Sequence, residues 1–400
     1  GRRDPDAARS ARPRLRAGAD AALARQEGLA HFLPDGERRL EALEAERANM
    51  RSALGWWGAS RQPEQQLAHA AALGGFWYAR IHLREGKEWL SRALEADGLP
   101  PTPERARALV WLSLIEYLRG EMKDSARDSA EGIRLCRVFD GAWRCENGSS
   151  DVAGAPHGDS LRFLTEAFGH YALGVATFNL GDARDASACF EDGRAVSEAI
   201  PDSRLSTLMV GNCTRSLGLV AGERGAYDEA ERLYGDVLRL CQSVEFMPGV
   251  RRVLGDLAYL ALQRGNYAMA IERFKNALAQ EHTGTSPLAL HDDLQGAAMA
   301  LAFLERSERA VCFLAAAEAF GERLGLDTTI PSERAAWTGA IASAKQTIGE
   351  RAFTRAWTEG RSLQPADATA QFLAIQVSPA PVDAQVILSE RELEVLRLLV

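Results

Sequence analysis

Seven histidines, His31, His69, His82, His157, His170, His282 and His291, are the first residues to search for metal or acid–base chemistry. No pair of them has the H-x-x-x-H or H-E-x-x-H spacing that puts two imidazoles on one helical face, so no metal site is expected. The six cysteines, Cys136, Cys145, Cys189, Cys213, Cys241 and Cys312, contain no C-x-x-C pair. Five lie in helical patterns, where a thiol serves as a small hydrophobe, and a reducing compartment follows as the default. There is no G-x-S-x-G elbow and no G-x-x-x-x-G-K-[ST] phosphate loop, and acidic residues are too frequent on helix faces for a catalytic dyad to stand out. The chain is therefore not expected to be an enzyme or to hold a cofactor. What remains is binding chemistry, for which guanidinium groups beside aromatic rings are the strongest material, because their planar fork matches carboxylate and phosphate.

The elements that must position such groups are helical hairpins. From Leu257 to Leu278 the chain reads as two amphipathic helices. Ala258 and Ala261 allow close approach, Gly265 and Asn266 turn, and Tyr267, Ala270, Phe274 and Ala277 face back. One hairpin cannot bury its own stripe. Its frame of close contact, turn and small residue, Ala258/Gly265/Ala270, recurs at Gly74/Ile81/Gly86, Ser113/Gly120/Ser125, Gly174/Gly181/Ala186, Gly218/Gly225/Ala230 and Ala298/Glu305/Ala310. Spacings of 39, 61, 44, 40 and 40 residues predict an all-α solenoid with a period of about 40 and one insertion of about twenty residues.

Around these frames the sequence divides as follows. Residues 1–35, which open on an Arg-rich stretch, read as disordered or as the remnant of an upstream domain. Residues 36–62 read as an entry helix with Leu40, Leu43, Met50, Ala53, Leu54 and Trp57 on one face. Six hairpins fill 63–329, with the inserted loop at 140–160. Terminal capping helices occupy 330–376, and a Pro-containing linker occupies 377–386. Residues 387–400 begin a helix in which Ser389 and Glu392 have capping-box spacing. A net charge of −8 argues against a surface that tracks a phosphate backbone. Neither a secretory leader nor a membrane segment is legible, so a cytoplasmic location is expected.

The hairpin grammar resembles the tetratricopeptide repeat, and the long period is similar to the sensor arrays of large ATP-binding LuxR-type transcription regulators. Leu388-Ser-Glu-Arg-Glu-Leu-Glu-Val-Leu-Arg-Leu-Leu-Val400 resembles the first helix of a LuxR-type helix-turn-helix, which would make Ser389, Arg391 and Glu392 the start of a DNA-binding domain. The segment Leu40 to Trp57 resembles the stretch joining the ATPase module of such regulators to their repeats. The resemblance implies a right-handed solenoid. It also implies that ATP, Mg and DNA belong to parts of a parent protein outside this chain, and that self-assembly is possible.

In tetratricopeptide-like hairpins the first helix lines the concave groove. Carried onto this chain, that implies a groove with Arg107 and Tyr117 in hairpin two and Phe168, Tyr171 and Phe178 in hairpin three. It continues with Asn212 and Arg215 in hairpin four, Arg252 and Tyr259 in hairpin five, and Gln295 in hairpin six. Such a groove would bind a small-molecule or protein effector, with an anionic ligand suited to its arginines. The competing reading makes Tyr171, Phe178 and Tyr259 packing residues and the arginines solvated charges. If the arginines are exposed, Arg215→Ala or Arg252→Ala leaves the melt nearly unchanged. A reading from another class is a tetratricopeptide-type scaffold that docks proteins and never touches DNA.

Overall fold

The computed structural model describes residues 36–96, 100–139, 143, 158–279, 286–305, 307–327 and 331–376. The readings of residues 1–35, 377–386 and 387–400, with Ser389, Arg391 and Glu392, lie outside the described residues, as does most of the loop at 140–160. Among the described residues there are sixteen helices and no strand.

Helix α1, Gly36–Ala59, precedes six hairpins. These are α2 (Pro63–Ala79) with α3 (Leu83–Leu94), α4 (Pro103–Leu118) with α5 (Met122–Val138), and α6 (Gly158–Asn179) with α7 (Ala183–Glu198). They continue with α8 (Ser203–Glu223) and α9 (Tyr227–Ser243), α10 (Met247–Gln263) and α11 (Tyr267–Ala279), and α12 (Pro287–Glu305) and α13 (Glu308–Leu324). Helices α14 (Pro331–Ile348), α15 (Glu350–Ser362) and α16 (Pro365–Leu373) follow. Helix α6 starts at Gly158, so the last three residues of the range read as loop are helical.

The hairpins form because each frame position does a steric job. Five of the six turn positions have positive φ: Ile81, Gly120, Gly181, Gly225 and Gly265. Glycine adopts that conformation without a Cβ clash, whereas Ile81 carries it at a cost. At the close-contact position a Cβ on Gly174 would lie 2.5 Å from Phe190, and one on Gly218 would lie 2.7 Å from Tyr234. Each missing side chain is thus the seat of the large residue on the partner helix. Those large residues, Leu90, Phe190, Tyr234, Phe274 and Leu314, are all buried, as are the small partners Ala186, Ala230, Ala270 and Ala310. Truncating such a phenylalanine to alanine costs about 3–5 kcal/mol through lost transfer and the cavity left behind.

The ends of the array are covered. Helix α1 buries Leu40, Leu43, Met50, Ala53, Leu54 and Trp57, and Arg47 ties it to Glu85 of α3 with bonds of 2.9 and 2.7 Å. At the other end α15 lies against α13 so closely that a Cβ on Gly360 would sit 2.1 Å from the Cys312 carbonyl oxygen. Phe372 of α16 packs edge-on against Phe313 at 5.6 Å.

One contact changes the shape of the whole. After α13 the Asp327 N–H donates to the Leu118 carbonyl at the end of α4, at 2.9 Å. Leu288, Leu324 and Leu326 pack against the core cluster of the first hairpins. Hairpin two and the end of hairpin six therefore touch, and the superhelix closes on itself.

Candidate functional site

Closure gives the first helices of the hairpins one shared interior. Tyr78 at the end of α2 experiences the charges of Arg215, Arg252 and Asp292, which lie three to five hairpins further along the chain. Tyr117 at the end of α4 experiences Tyr171, Asp292 and Arg252. Burial is the first cause raising both phenols above their ordinary range, with the neighbouring tyrosine and aspartate charges adding to it.

Two ion pairs run across this interior, each joining neighbouring hairpins. Arg215 of α8 meets Asp256 of α10 at 3.0 Å, with 11% and 12% of the side chains exposed. Arg252 of α10 meets Asp292 of α12 at 2.8 Å, with 29% and 25% exposed. Burial opposes the charge on both arginines, but the aspartates outweigh it and raise each guanidinium above its ordinary range. Burial likewise opposes ionisation of Asp292, while Arg252 and a 3.2 Å contact from His291 Nδ1 hold its carboxyl below the usual range. Desolvation is the leading influence on Arg252 and Asp292, yet about a quarter of each side chain is accessible. Such groups line a deep recess rather than an outer face.

A third pair, Arg251 with Asp293 at 2.9 Å, lies in the wall itself, and Arg251 also donates to the Ala277 carbonyl at 3.2 Å. Gly255 makes room for it, since a Cβ there would meet Asp293 Oδ1 at 2.3 Å. Burial pushes the Asp293 carboxyl up to about 7, against the pull of Arg251 and Arg252. Helix α14 completes the enclosure. Burial raises its Glu333 to about 8, with Asp292 and Glu223 adding to the shift and Arg252 opposing it.

Of the ten positions expected to line a groove, Tyr117, Tyr171, Arg215, Arg252 and Tyr259 come together here. Tyr259 donates to the Asp292 carbonyl oxygen at 3.0 Å and places its ring edge on Phe274. Phe168 packs on Trp111 at 5.2 Å, and Phe178 is buried, so both belong to the core. Arg107 turns toward the Ala71 carbonyl at 3.5 Å. Asn212 is half-buried and Gln295 is buried. Arg215 and Arg252 are not solvated charges and are not waiting for an anion, because each already holds a carboxylate. Asp256, Glu333 and Tyr78 were not singled out by the repeat frame. The opposite charges at Arg215/Asp256 and Arg252/Asp292 stand 41 and 40 residues apart, one repeat period, and that spacing was the available signal.

Elsewhere the chemistry is quieter. A cleft of about 480 Å³ between α7, α8 and α9 is lined by charges, among which Arg224 pairs with Glu229 and Arg232 with Asp236. Glu116, Glu121 and Asp124 bring carboxylate oxygens within 4.8 Å of one another, but Lys87 stands among them, 3.7 Å from Glu116 and bonded to Glu121. Burial disfavours the thiolate at each described cysteine. Burial pushes Cys136 and Cys213 up to about 12, and Cys189 and Cys241 up to about 11. Among the described residues no helix is long and apolar enough to cross a membrane.

Residues 210–280 match the tetratricopeptide repeat model. That match covers hairpins four and five, where both turns are glycine and both large residues aromatic. The chain is 26% identical over 247 residues to proteins of Mycobacterium bovis and Mycobacterium tuberculosis, each bearing the provisional name of an HTH-type transcriptional regulator. The alignment covers 55% of this chain and 27% of each relative, so the chain matches about a quarter of their length. Among solved structures, the chain is similar to NprR in complex with its cognate peptide NprX, with a TM-score of 0.46 at 15% identity over 86% of this chain and 82% of that one. It is also similar to the Rap conjugation gene regulator of plasmid pLS20 in complex with the Phr* peptide, with a TM-score of 0.45 at 12% identity over 88% and 96%.

Proposed function

We propose that this chain is the effector-binding helical-repeat segment of a cytoplasmic LuxR-type transcription regulator. In that reading an ATPase module and a DNA-reading domain lie elsewhere in the parent protein. The observation that carries the binding role is the convergence of tyrosines and Arg–Asp pairs from several hairpins on one interior that is deep and partly accessible. Its walls come from different repeats, so a ligand bridging them changes how the repeats sit relative to one another. A ligand shifts such an equilibrium only by its differential affinity for the two states. In this reading the contact between Leu118 and Asp327 is one whose release would open the superhelix. A place in transcription control is supported by the names of the relatives matched over part of their length.

The position of these groups inside the closed superhelix, rather than on its outer face, favours this reading over a docking scaffold. The LuxR part is tested by the residues encoded after Val400. Continuation with Gly, then Ser/Thr-Asn and Glu-Ile-Ala, sustains it, while a stop codon or a further repeat removes it.

A further inference from the structure

Within that interior every aspartate has a cation, while two glutamates, Glu223 and Glu333, do not. Asp256 holds Arg215, Asp292 holds Arg252 and Asp293 holds Arg251, while Glu223 accepts from the Gln263 amide. Glu333 makes no ion pair or hydrogen bond among the described residues, although Asp292, Glu223, Asp256, Arg252 and Tyr259 all lie within its electrostatic reach. The hydroxyl of Tyr171, a residue only 5% exposed, also has no hydrogen-bond partner among the described residues, and it faces the same interior as Tyr78, Tyr117 and Arg252. Beside the two arginines, Arg215 and Arg252, the recess gathers four carboxyl groups, Asp256, Asp292, Glu223 and Glu333.

An anion entering this recess shares an arginine with the aspartate already on it and meets that carboxylate's negative charge at close range, which is costly in a site with little water. A cation meets no such obstacle. It gains an unpaired carboxylate and, from the tyrosine rings, the negative faces that attract ammonium and guanidinium groups.

We propose that the interior of the closed superhelix is a receptor for a small organic cation, whose ammonium or guanidinium group sits against Glu333 and Tyr259 with its remainder toward Tyr117 and Tyr171. This rests on the interior being the effector site and names the ligand's chemistry. It reverses the preference for anions that the arginines suggest in the sequence alone. The contact between Leu118 and Asp327 closes the interior on one side, which favours a small amine or the basic side chain of a short peptide. The raised position of Glu333, about 8, adds a signature. Near pH 7 the empty site holds a proton there, and an arriving cation expels it. The groups that set this proton are Asp292 from α12, Glu223 from α8, and Arg252 and Asp256 from α10.

The test is calorimetric titration of the whole chain with butylamine, N-acetyl-lysine amide and succinate at pH 7, in two buffers of different ionisation enthalpy. The expected result is saturable binding of the two cationic probes with net proton release and no binding of succinate. The lysine amide should bind tighter than butylamine if the natural ligand is a peptide side chain, and weaker if it is a free amine. Glu333→Gln, which keeps the shape, is expected to weaken the cations at least tenfold and to remove the proton release. Tyr171→Phe reports separately on the hydroxyl. Succinate binding that disappears in Arg252→Met overturns the cationic assignment and leaves the effector site standing. No binding of either cation, or binding indifferent to Glu333→Gln, overturns the assignment as well. Whether the interior is a ligand site of any kind is then decided by ligand selection with the paired Arg252 and Asp292 variant described below.

Discussion

Replacing Arg215 by alanine removes the guanidinium that faces Asp256 at 3.0 Å, where only 11% and 12% of the two side chains are exposed. Two unit charges at that distance attract by about 5 kcal/mol at an effective dielectric of about 20. Desolvation of both groups consumes much of this, so the intact pair contributes little net stability. Breaking it is another matter. The aspartate stays in a site that disfavours its charge, and the loss is about 3 kcal/mol, the lower end for single deletion of a buried pair, since some water still reaches it. Arg215→Ala is thus expected to lower the denaturation free energy by that amount, in urea melts followed by circular dichroism. The Arg215→Met and Asp256→Leu double variant, which fills similar volume without charge, is expected to recover most of it. An Arg215→Ala change within about 0.5 kcal/mol of the wild type would mean a solvated arginine after all, as for exposed pairs, and would refute the reasoning.

Gly225 has φ of +77° and nothing within 4 Å of where its Cβ would go, so Gly225→Val costs only backbone strain, expected at about 1–3 kcal/mol in the same melts. Glu116 and Glu333 are pushed up to about 8 and Asp293 to about 7 by burial, so the folded chain keeps protons that the unfolded chain releases near pH 4. Stability from this source is fully present below about pH 4 and is lost as pH rises through 7 to 8. Thermal melts should therefore fall from pH 6 to pH 9, and Glu116→Gln should flatten the fall. Leu326→Asp places a charge where Leu326 packs against the first hairpins, and is expected to open the superhelix, read as a larger radius of gyration in small-angle scattering with unchanged helical content.

The solenoid was legible because its repeat frame is a set of local steric demands. Gly174 opposite Phe190, Gly218 opposite Tyr234, and a positive-φ residue at five turns can be read from spacing alone. The closure was not legible, since it joins Leu118 to Asp327 across 209 residues and outside any frame. Repeat geometry placed five of the ten expected groove positions, Tyr117, Tyr171, Arg215, Arg252 and Tyr259, around one interior. Phe168 and Phe178 turned inward because aromatic residues beside a close helix contact are taken up by packing. The ionic state of the arginines was misread because repeat grammar assigns faces but not partners. Their partners lie one period on, and Asp256 shares its helix with Arg252, four residues away on the same face. Glu333 was hidden by belonging to a capping helix, whose first turn reaches over the recess from outside the repeats.

The central claim is that this interior selects an effector. It is tested most directly by affinity-selection mass spectrometry of small molecules and short peptides, comparing the wild-type chain with the Arg252→Met and Asp292→Leu double variant, which removes the accessible ion pair while preserving its volume. The account predicts a discrete set of compounds retained by the wild type and lost by the folded variant. Identical retention by both proteins would contradict it.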